Sequence, residues 1–237
     1  MATLALIRRD HRAELMDQPG VDEREHGRAL AALGRLNLAS GTCRQLWRRI
    51  AAFAGRRRRR RLRVLDVASG GGDVAFGLWK TARRHGVELE IVGLDFSPTA
   101  CQFAAKRCEG AGPAIQFRTA DVVHHELPGG FDVAVCSLFL HHLSLEEAAA
   151  LLRTMVASAE LTLVSDLRRC AAGYVLAWAA CRLATRSPLV RADGPQSVRN
   201  AFSLTEMREL CDAARLPQAT VERVWPCRLL VQHWRRS

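Results

Sequence analysis

The stretch Val64–Asp73, VLDVASGGGD, limits what this chain can fold into more than any other. Residues 63–68 read as an apolar strand, and Gly70, Gly71 and Gly72 form a turn where backbone can approach a ligand that a side chain would block. DVAFGLWKTARRHG then reads as a helix. The same rhythm continues through strands at 89–96, 114–121, 131–140 and 161–167. Helix starts punctuate it: Ser97 before Pro98, the pair Ser144 and Glu147, and the pair Ser203 and Glu206. ATVERVW and RLLVQHW, joined at Pro226–Cys227, read as a hairpin. Strands alternating with helices predict an α/β fold: a doubly wound, mainly parallel, Rossmann-like sheet of seven strands with a C-terminal antiparallel hairpin. Residues 1–54 read as an N-terminal helical cover, with Leu46, Ile50 and Phe53 on one stripe. Residues 55–63 read as a basic linker, and 62–237 as the main domain with an insertion at 168–202.

The net charge of +11 is uneven, because residues 1–63 hold 16 arginines against six acids. Six consecutive like charges, Arg56–Arg61, cannot be buried, so the run reads as solvated, with peripheral contact to an anionic membrane as a second role. A nucleic-acid partner is disfavoured, since no aromatics interleave the basic residues to stack bases. CSLFLHH also stands where amino-methylating nucleic-acid enzymes carry Asn/Asp-Pro-Pro-aromatic. The eight cysteines form no CxxC pair and read as buried free thiols of a reducing compartment. The apolar run in MATLALIRRD is too short for a signal peptide, and no window reaches roughly 18 apolar residues, so a cytoplasmic protein is expected.

Three features converge on a nucleotide-like ligand. Gly70-x-Gly72-x-x-Ala75 matches the dinucleotide fingerprint. Asp95 ends the second strand, 23 residues past Gly72, where a carboxylate can accept both hydroxyls of a ribose. Asp121 ends the third strand, where it can meet an adenine edge. All lie at carboxyl ends of adjacent strands, the ligand edge of open α/β sheets. A short-chain dehydrogenase would need Tyr-x-x-x-Lys, but Tyr174 is the only tyrosine and has Trp178 at the fourth position. A P-loop would need Gly-Lys-Ser/Thr, which is absent.

VLDVASGGGD, IVGLDFSP, RTADV and GFDVAVCSLFLHHLS together resemble the successive motifs of class I S-adenosylmethionine-dependent methyltransferases. The resemblance is to small-molecule enzymes similar to the ubiquinone/menaquinone biosynthesis methyltransferases. It covers residues 62–167 and, more loosely, the hairpin. The chain departs from that family at Ala68, usually Gly, and at Ser69, usually Cys or Gly. The resemblance implies S-adenosyl-L-methionine as cofactor, bound by Asp66, Ala68, Gly70, Gly71, Gly72, Asp95, Phe96, Asp121, Val122 and Ser137. Asp66 would lie beneath the amino group, Asp95 on the ribose, and Asp121 with Val122 around the adenine. With no pyrophosphate to accommodate, a carboxylate such as Asp66 suits a cationic cofactor.

Methyl transfer from a sulfonium is an in-line displacement that needs alignment and exclusion of water. It requires no metal, and none is expected: His124–His125 and His141–His142 are adjacent pairs without a third-ligand spacing. The candidate catalytic residues are His141 and His142 after the fourth strand, for proton handling, and Asp166 at the end of the fifth. The apolar helix 170–184 reads as a lid presenting Tyr174 and Trp178. Arg191 and Arg199 are available to an acidic acceptor group, and Gly194–Pro195 reads as a turn. These residues suggest a small, largely apolar acceptor: phenolic, quinol or polyketide-like. The alternatives are an RNA methyltransferase using the basic N-terminal region and a non-catalytic cofactor-binding scaffold.

Overall fold

The computed structural model describes residue 6, residues 8–17 and residues 22–235. The alternating segments become strands β1 (Arg61–Val67), β2 (Glu88–Asp95), β3 (Ile115–Thr119), β4 (Phe131–Ser137), β5 (Ala159–Leu167), β6 (Thr220–Val224) and β7 (Arg228–Trp234). They form one sheet in the order β3-β2-β1-β4-β5-β7-β6. The first five are parallel, and β7 runs antiparallel to both β5 and β6. The helices are α1 (Glu23–Ala39), α2 (Thr42–Arg57), α3 (Asp73–Arg84), α4 (Pro98–Arg107), α5 (Leu145–Ser158), α6 (Ala171–Ala184), α7 (Pro188–Asn200) and α8 (Leu204–Ala213).

The period of two along the central strands divides the core. Leu65 and Val67 of β1, with Ala134 and Cys136 of β4, pack on the face covered by α5 and α8. Leu62 and Val64, with Val133 and Val135, pack on the face covered by α2 and α3. Strands buried on both faces are continuous apolar runs, which is why VLDVA and FDVAVC lack polar alternation. Side-chain caps fix the helix starts: Ser144 with Glu147 and Ser203 with Glu206 form complete capping boxes, and Ser97 caps α4 ahead of Pro98.

The arginine run is not a linker. Arg56 and Arg57 close α2, Arg58 caps it at φ 52°, and Arg61 opens β1. Arg57 and Arg59 pair with Glu160, Arg59 also with Asp132, and Arg61 with Glu90. Cations at a helix C-terminus complement its dipole, and the acids near the starts of neighbouring strands share the charge. The run lies at the amino edge of the sheet, a seven-residue strand or roughly 20 Å from the carboxyl edge.

Above that carboxyl edge sits a cap made of α1, α6, α7 and the segment 9–17. The segment has no strand partner, so its backbone donors turn to α7, Asp10 N to the Arg199 carbonyl and others to side chains. Leu15 N and Met16 N donate to Asp193, and Arg12 N donates to Asn200 Oδ1. Arg9 donates to the carbonyls of His141 and Leu143 at 2.9 and 2.6 Å, tying the segment to the loop after β4. The expected turn at Gly194–Pro195 is instead interior to α7. A Cβ at Gly194 would collide with Cys181 Sγ of α6, so the glycine serves close helix packing there. No helix among the described residues is long and apolar enough to cross a membrane.

Candidate active site

Two adjoining cavities open at the carboxyl edge. The first, about 420 Å³, lies over the ends of β1, β2 and β4. The chain leaves β1 through Ala68, at φ 55°, and enters α3 through Gly72, at φ 70°. Asp95 at the end of β2 holds this loop, since its Oδ2 accepts from Gly70 N at 2.8 Å and its Oδ1 from Ser97 N at 3.0 Å. All of the sequence-derived cofactor set lines this cavity except Gly72. A Cβ at Gly72 would stand 2.8 Å from both Ala104 Cβ and Phe117 Cζ, so this glycine lets the loop pack onto α4 and β3.

The acids in this cavity differ in state. Asp66 is buried and lifted to about 8, first by burial and then by Asp73 and Asp95. Its Oδ2 has no hydrogen-bond partner among the described residues. A buried, unsatisfied carboxylate is stabilised by a cationic ligand. Asp121 is committed to its own turn, accepting from Val123 N and His124 N and facing His124 Nδ1 at 2.8 Å. The His124 contact and these backbone donors hold its carboxyl below the usual range. Phe96 is 61% exposed and offers a flat face at the rim.

The second cavity, about 370 Å³, is enclosed by segment 9–17, α1, α6, α7 and the hairpin. Its wall is mostly apolar, with Leu36, Ala177, Val190 and Trp225 among it, while Arg228 and Asn37 add polarity. It shares Met16, Leu33, Asn37, Leu138 and His142 with the first cavity. Leu138 sits at φ 56° as the chain exits β4 and donates its N–H to Ser165 O. A β-strand exit in the left-handed region is strained for leucine, and such strain concentrates at functional junctions.

The expected trio His141, His142 and Asp166 comes together at this junction. Asp166 Oδ1 lies 2.6 Å from His141 Nδ1, and Asp166 Oδ2 accepts from the His141 backbone N–H. A fourth member, Glu14, carries no signal in the sequence. Its Oε1 lies 3.6 Å from His141 Nε2, its Oε2 lies 4.0 Å from His142 Nε2, and Ser197 Oγ donates to Oε1 at 2.6 Å. Burial alone would lower His141, but Asp166 and Glu14 overcome it and raise the imidazole to about 10. Burial likewise acts to raise Glu14 and Asp166, and the paired histidine reverses this, leaving both below the ordinary range.

The expected acceptor residues are placed elsewhere. Helix α6 turns Gly173, Leu176, Ala177 and Ala180 to the cavity, at i, i+3, i+4 and i+7. Tyr174 points instead to Arg199, whose Nη2 donates to its hydroxyl at 3.0 Å. Trp178 is 46% exposed beneath the Arg182 guanidinium. Arg191 donates to the carbonyls of Thr185 and Arg182, satisfying the open C-terminus of α6. The cation that reaches the cavity is Arg228, 4% exposed, held by Asn37 Oδ1 and Ser40 Oγ at 3.0 Å each. Burial pushes it down to about 10 against the pull of Asp166 and Asp73. Its signal in the sequence is an arginine opening a mostly apolar strand.

A seven-stranded sheet with an antiparallel last hairpin and a ligand cavity over β1 and β2 is the fold of class I S-adenosylmethionine-dependent methyltransferases. Residues 64–159 match the family model of the methyltransferase domain. The demethylmenaquinone methyltransferase of Deinococcus radiodurans is 35% identical over 92 residues, 38% of this chain and 36% of that protein. The chain thus spans little more than a third of the length of the curated relative it matches. A putative O-methyltransferase of Nostoc punctiforme superposes with a TM-score of 0.64 at 13% identity, over 98% of this chain and 66% of that one. The magnesium protoporphyrin IX methyltransferase of Synechocystis, solved with bound S-adenosylmethionine, gives 0.55 at 16% identity over 86% and 84%. At these identities the structural likeness is one of fold.

Proposed function

We propose that this chain transfers the methyl group of S-adenosylmethionine to a small, largely apolar acceptor. The observation that carries the reading is the shared wall: a cavity at the glycine turn, lined by Asp66, Asp95 and Asp121, adjoins a second, mostly apolar one, and Leu138 and His142 border both. Asp66 complements the cationic end of the cofactor, Asp95 receives the ribose hydroxyls, and Phe96 and Val122 flank the adenine. Bound there, the cofactor supplies an electrophilic methyl on a sulfonium.

The protein's task is alignment and exclusion of water. The apolar cavity holds the acceptor body, with Ala177 and Leu176 of α6 covering it. Arg228 and Asn37 address its polar substituents, and the group around His142 faces its reacting atom. A phenolic, quinol or polyketide-like acceptor fits this division, and the Deinococcus relative is named for a demethylmenaquinone. The RNA alternative draws no support from Arg56–Arg61, which stand at the opposite edge of the sheet.

The test is incubation with methyl-labelled cofactor and a panel of quinols, phenols and polyketides, read by mass spectrometry, with S-adenosylhomocysteine binding measured by calorimetry. The expected result is binding and one labelled acceptor class. Absence of binding overturns the reading. Binding with no product from any acceptor would favour the scaffold.

A further inference from the structure

We propose that Glu14, His141 and His142 form a binding site for a divalent transition-metal ion, Zn²⁺ first among them, at the junction of the two cavities. Their candidate ligand atoms, one from each residue, all lie within 4.8 Å of one another. Two imidazoles and one carboxylate are the donor set of zinc and its first-row neighbours rather than of magnesium or calcium, which prefer oxygen.

The spacing leaves room for an ion in place of the His141–Glu14 ion pair. The Nε2 atoms of His141 and His142 stand 3.6 and 4.0 Å from the Glu14 oxygens. Both distances are longer than an ordinary hydrogen bond, the shorter being a stretched ion pair. Ligands on a tetrahedral ion with bonds of about 2.1 Å stand roughly 3.4 Å apart, close to the 3.6 Å between His141 Nε2 and Glu14 Oε1.

Each ligand is also held from behind, as metal ligands are. Asp166 engages His141 Nδ1 at 2.6 Å, which leaves Nε2 for the ion, the carboxylate–histidine–metal arrangement. The same carboxylate takes the His141 backbone N–H at 3.0 Å. Ser197 fixes Glu14, and Phe139 stacks on His142 with ring centroids 5.9 Å apart at 27°. Glu14 and Asp166 are 4% and 1% exposed, and an ion that displaces the His141 Nε2 proton would supply the positive charge between them that the protonated imidazole otherwise gives. Three protein ligands leave a coordination position open, and all three residues line the apolar cavity. An ion there would face the polar end of a molecule in that cavity. The site does not depend on the methyl-transfer reading.

The experiment uses the full chain stripped with a chelator, then titrated with Zn²⁺ by calorimetry and with Co²⁺ by visible absorption. S-adenosylhomocysteine binding is followed in parallel as a measure of the intact fold and of the cofactor reading. The expected result is one ion per chain and Co²⁺ bands of a nitrogen–oxygen site. Glu14→Gln and His142→Gln should each weaken binding at least tenfold, and Asp166→Asn about 10- to 100-fold. Should Glu14→Gln fail to fold, the partly exposed His142 still supplies the comparison. No binding by wild type, or binding undiminished in His142→Gln and so held by cysteines elsewhere, overturns the site.

Discussion

The two cavities share a wall but are built by different means. The first is walled mainly by the loops after consecutive parallel strands, between Asp66 and His142. The ladder register aligns their ends, since Asp66 pairs with Gly93, Asp95 with Thr119 and Val67 with Cys136. Its decisive contacts involve backbone: Gly70 N and Ser97 N to Asp95. The second gathers side chains from segment 9–17, α1, α6, α7 and the hairpin. Its most apolar helix, α6, is the least anchored, with only Gly173 and Cys181 fully buried. A backbone-built site prescribes one ligand shape, whereas a side-chain-built one can be re-lined without disturbing the sheet.

Asp95→Ala should break the first cavity alone and have the largest effect. It removes two hydrogen bonds to a charged group, each worth about 1.5–3 kcal/mol. Affinity for S-adenosylhomocysteine should fall at least ~100-fold by calorimetry. Unchanged affinity would show that the loop holds itself.

Ala177→Trp should break the second cavity alone. An indole placed in a cavity of about 370 Å³ displaces the acceptor, so kcat/KM should drop by more than ~10-fold while S-adenosylhomocysteine affinity stays within about twofold. A parallel loss of both would mean that the cavities are one functional space.

A smaller effect separates charge from shape in the first cavity. Asp66 is raised to about 8 in the folded, cofactor-free protein, against about 3.9 in an unfolded chain. The folded state holds the proton more tightly, so this group's stabilisation is complete below about pH 4 and is lost as pH rises to about 8. Asp66→Asn removes that loss. The melting temperature of the cofactor-free variant should exceed wild type by roughly 3 °C or more at pH 8, with the difference vanishing near pH 4. Its S-adenosylhomocysteine affinity should fall. A variant no more stable at pH 8 would mean that the carboxylate ionises there at no cost.

The smallest expected effect is Ala68→Gly. Relief of the left-handed alanine offsets the added freedom of the unfolded chain, for a net gain of about 1 kcal/mol or less. Melting at higher temperature with unchanged cofactor affinity is expected, and a loss of stability would show that Ala68 packs better than it twists.

What is legible in the sequence follows this division. Strand, glycine turn, helix start and strand-end acid are local signals, and parallel pairing converts them into neighbours with little freedom. The glycine turn and strand-end position therefore locate Gly70 and Asp95, and likewise His141, His142 and Asp166 at the ends of β4 and β5, while Asp66 and Ser137 follow from the resemblance. The helix α6 is apolar on every side, so no stripe tells which face turns inward. Its large aromatics, Tyr174 and Trp178, are the natural expectation, yet Ala177 and Leu176 line the cavity. Gly194–Pro195 has the local chemistry of a turn, but its packing against Cys181 belongs to another helix.

The sequence by itself determined the sheet and the residues that gather at its carboxyl edge, because short-range backbone preferences and strand pairing decide them. Only the tertiary structure brought Glu14 to His141 and His142 and carried Arg228 to the second cavity. Those contacts join distant segments whose meeting depends on how the cap closes over the sheet, and no spacing along the chain encodes it.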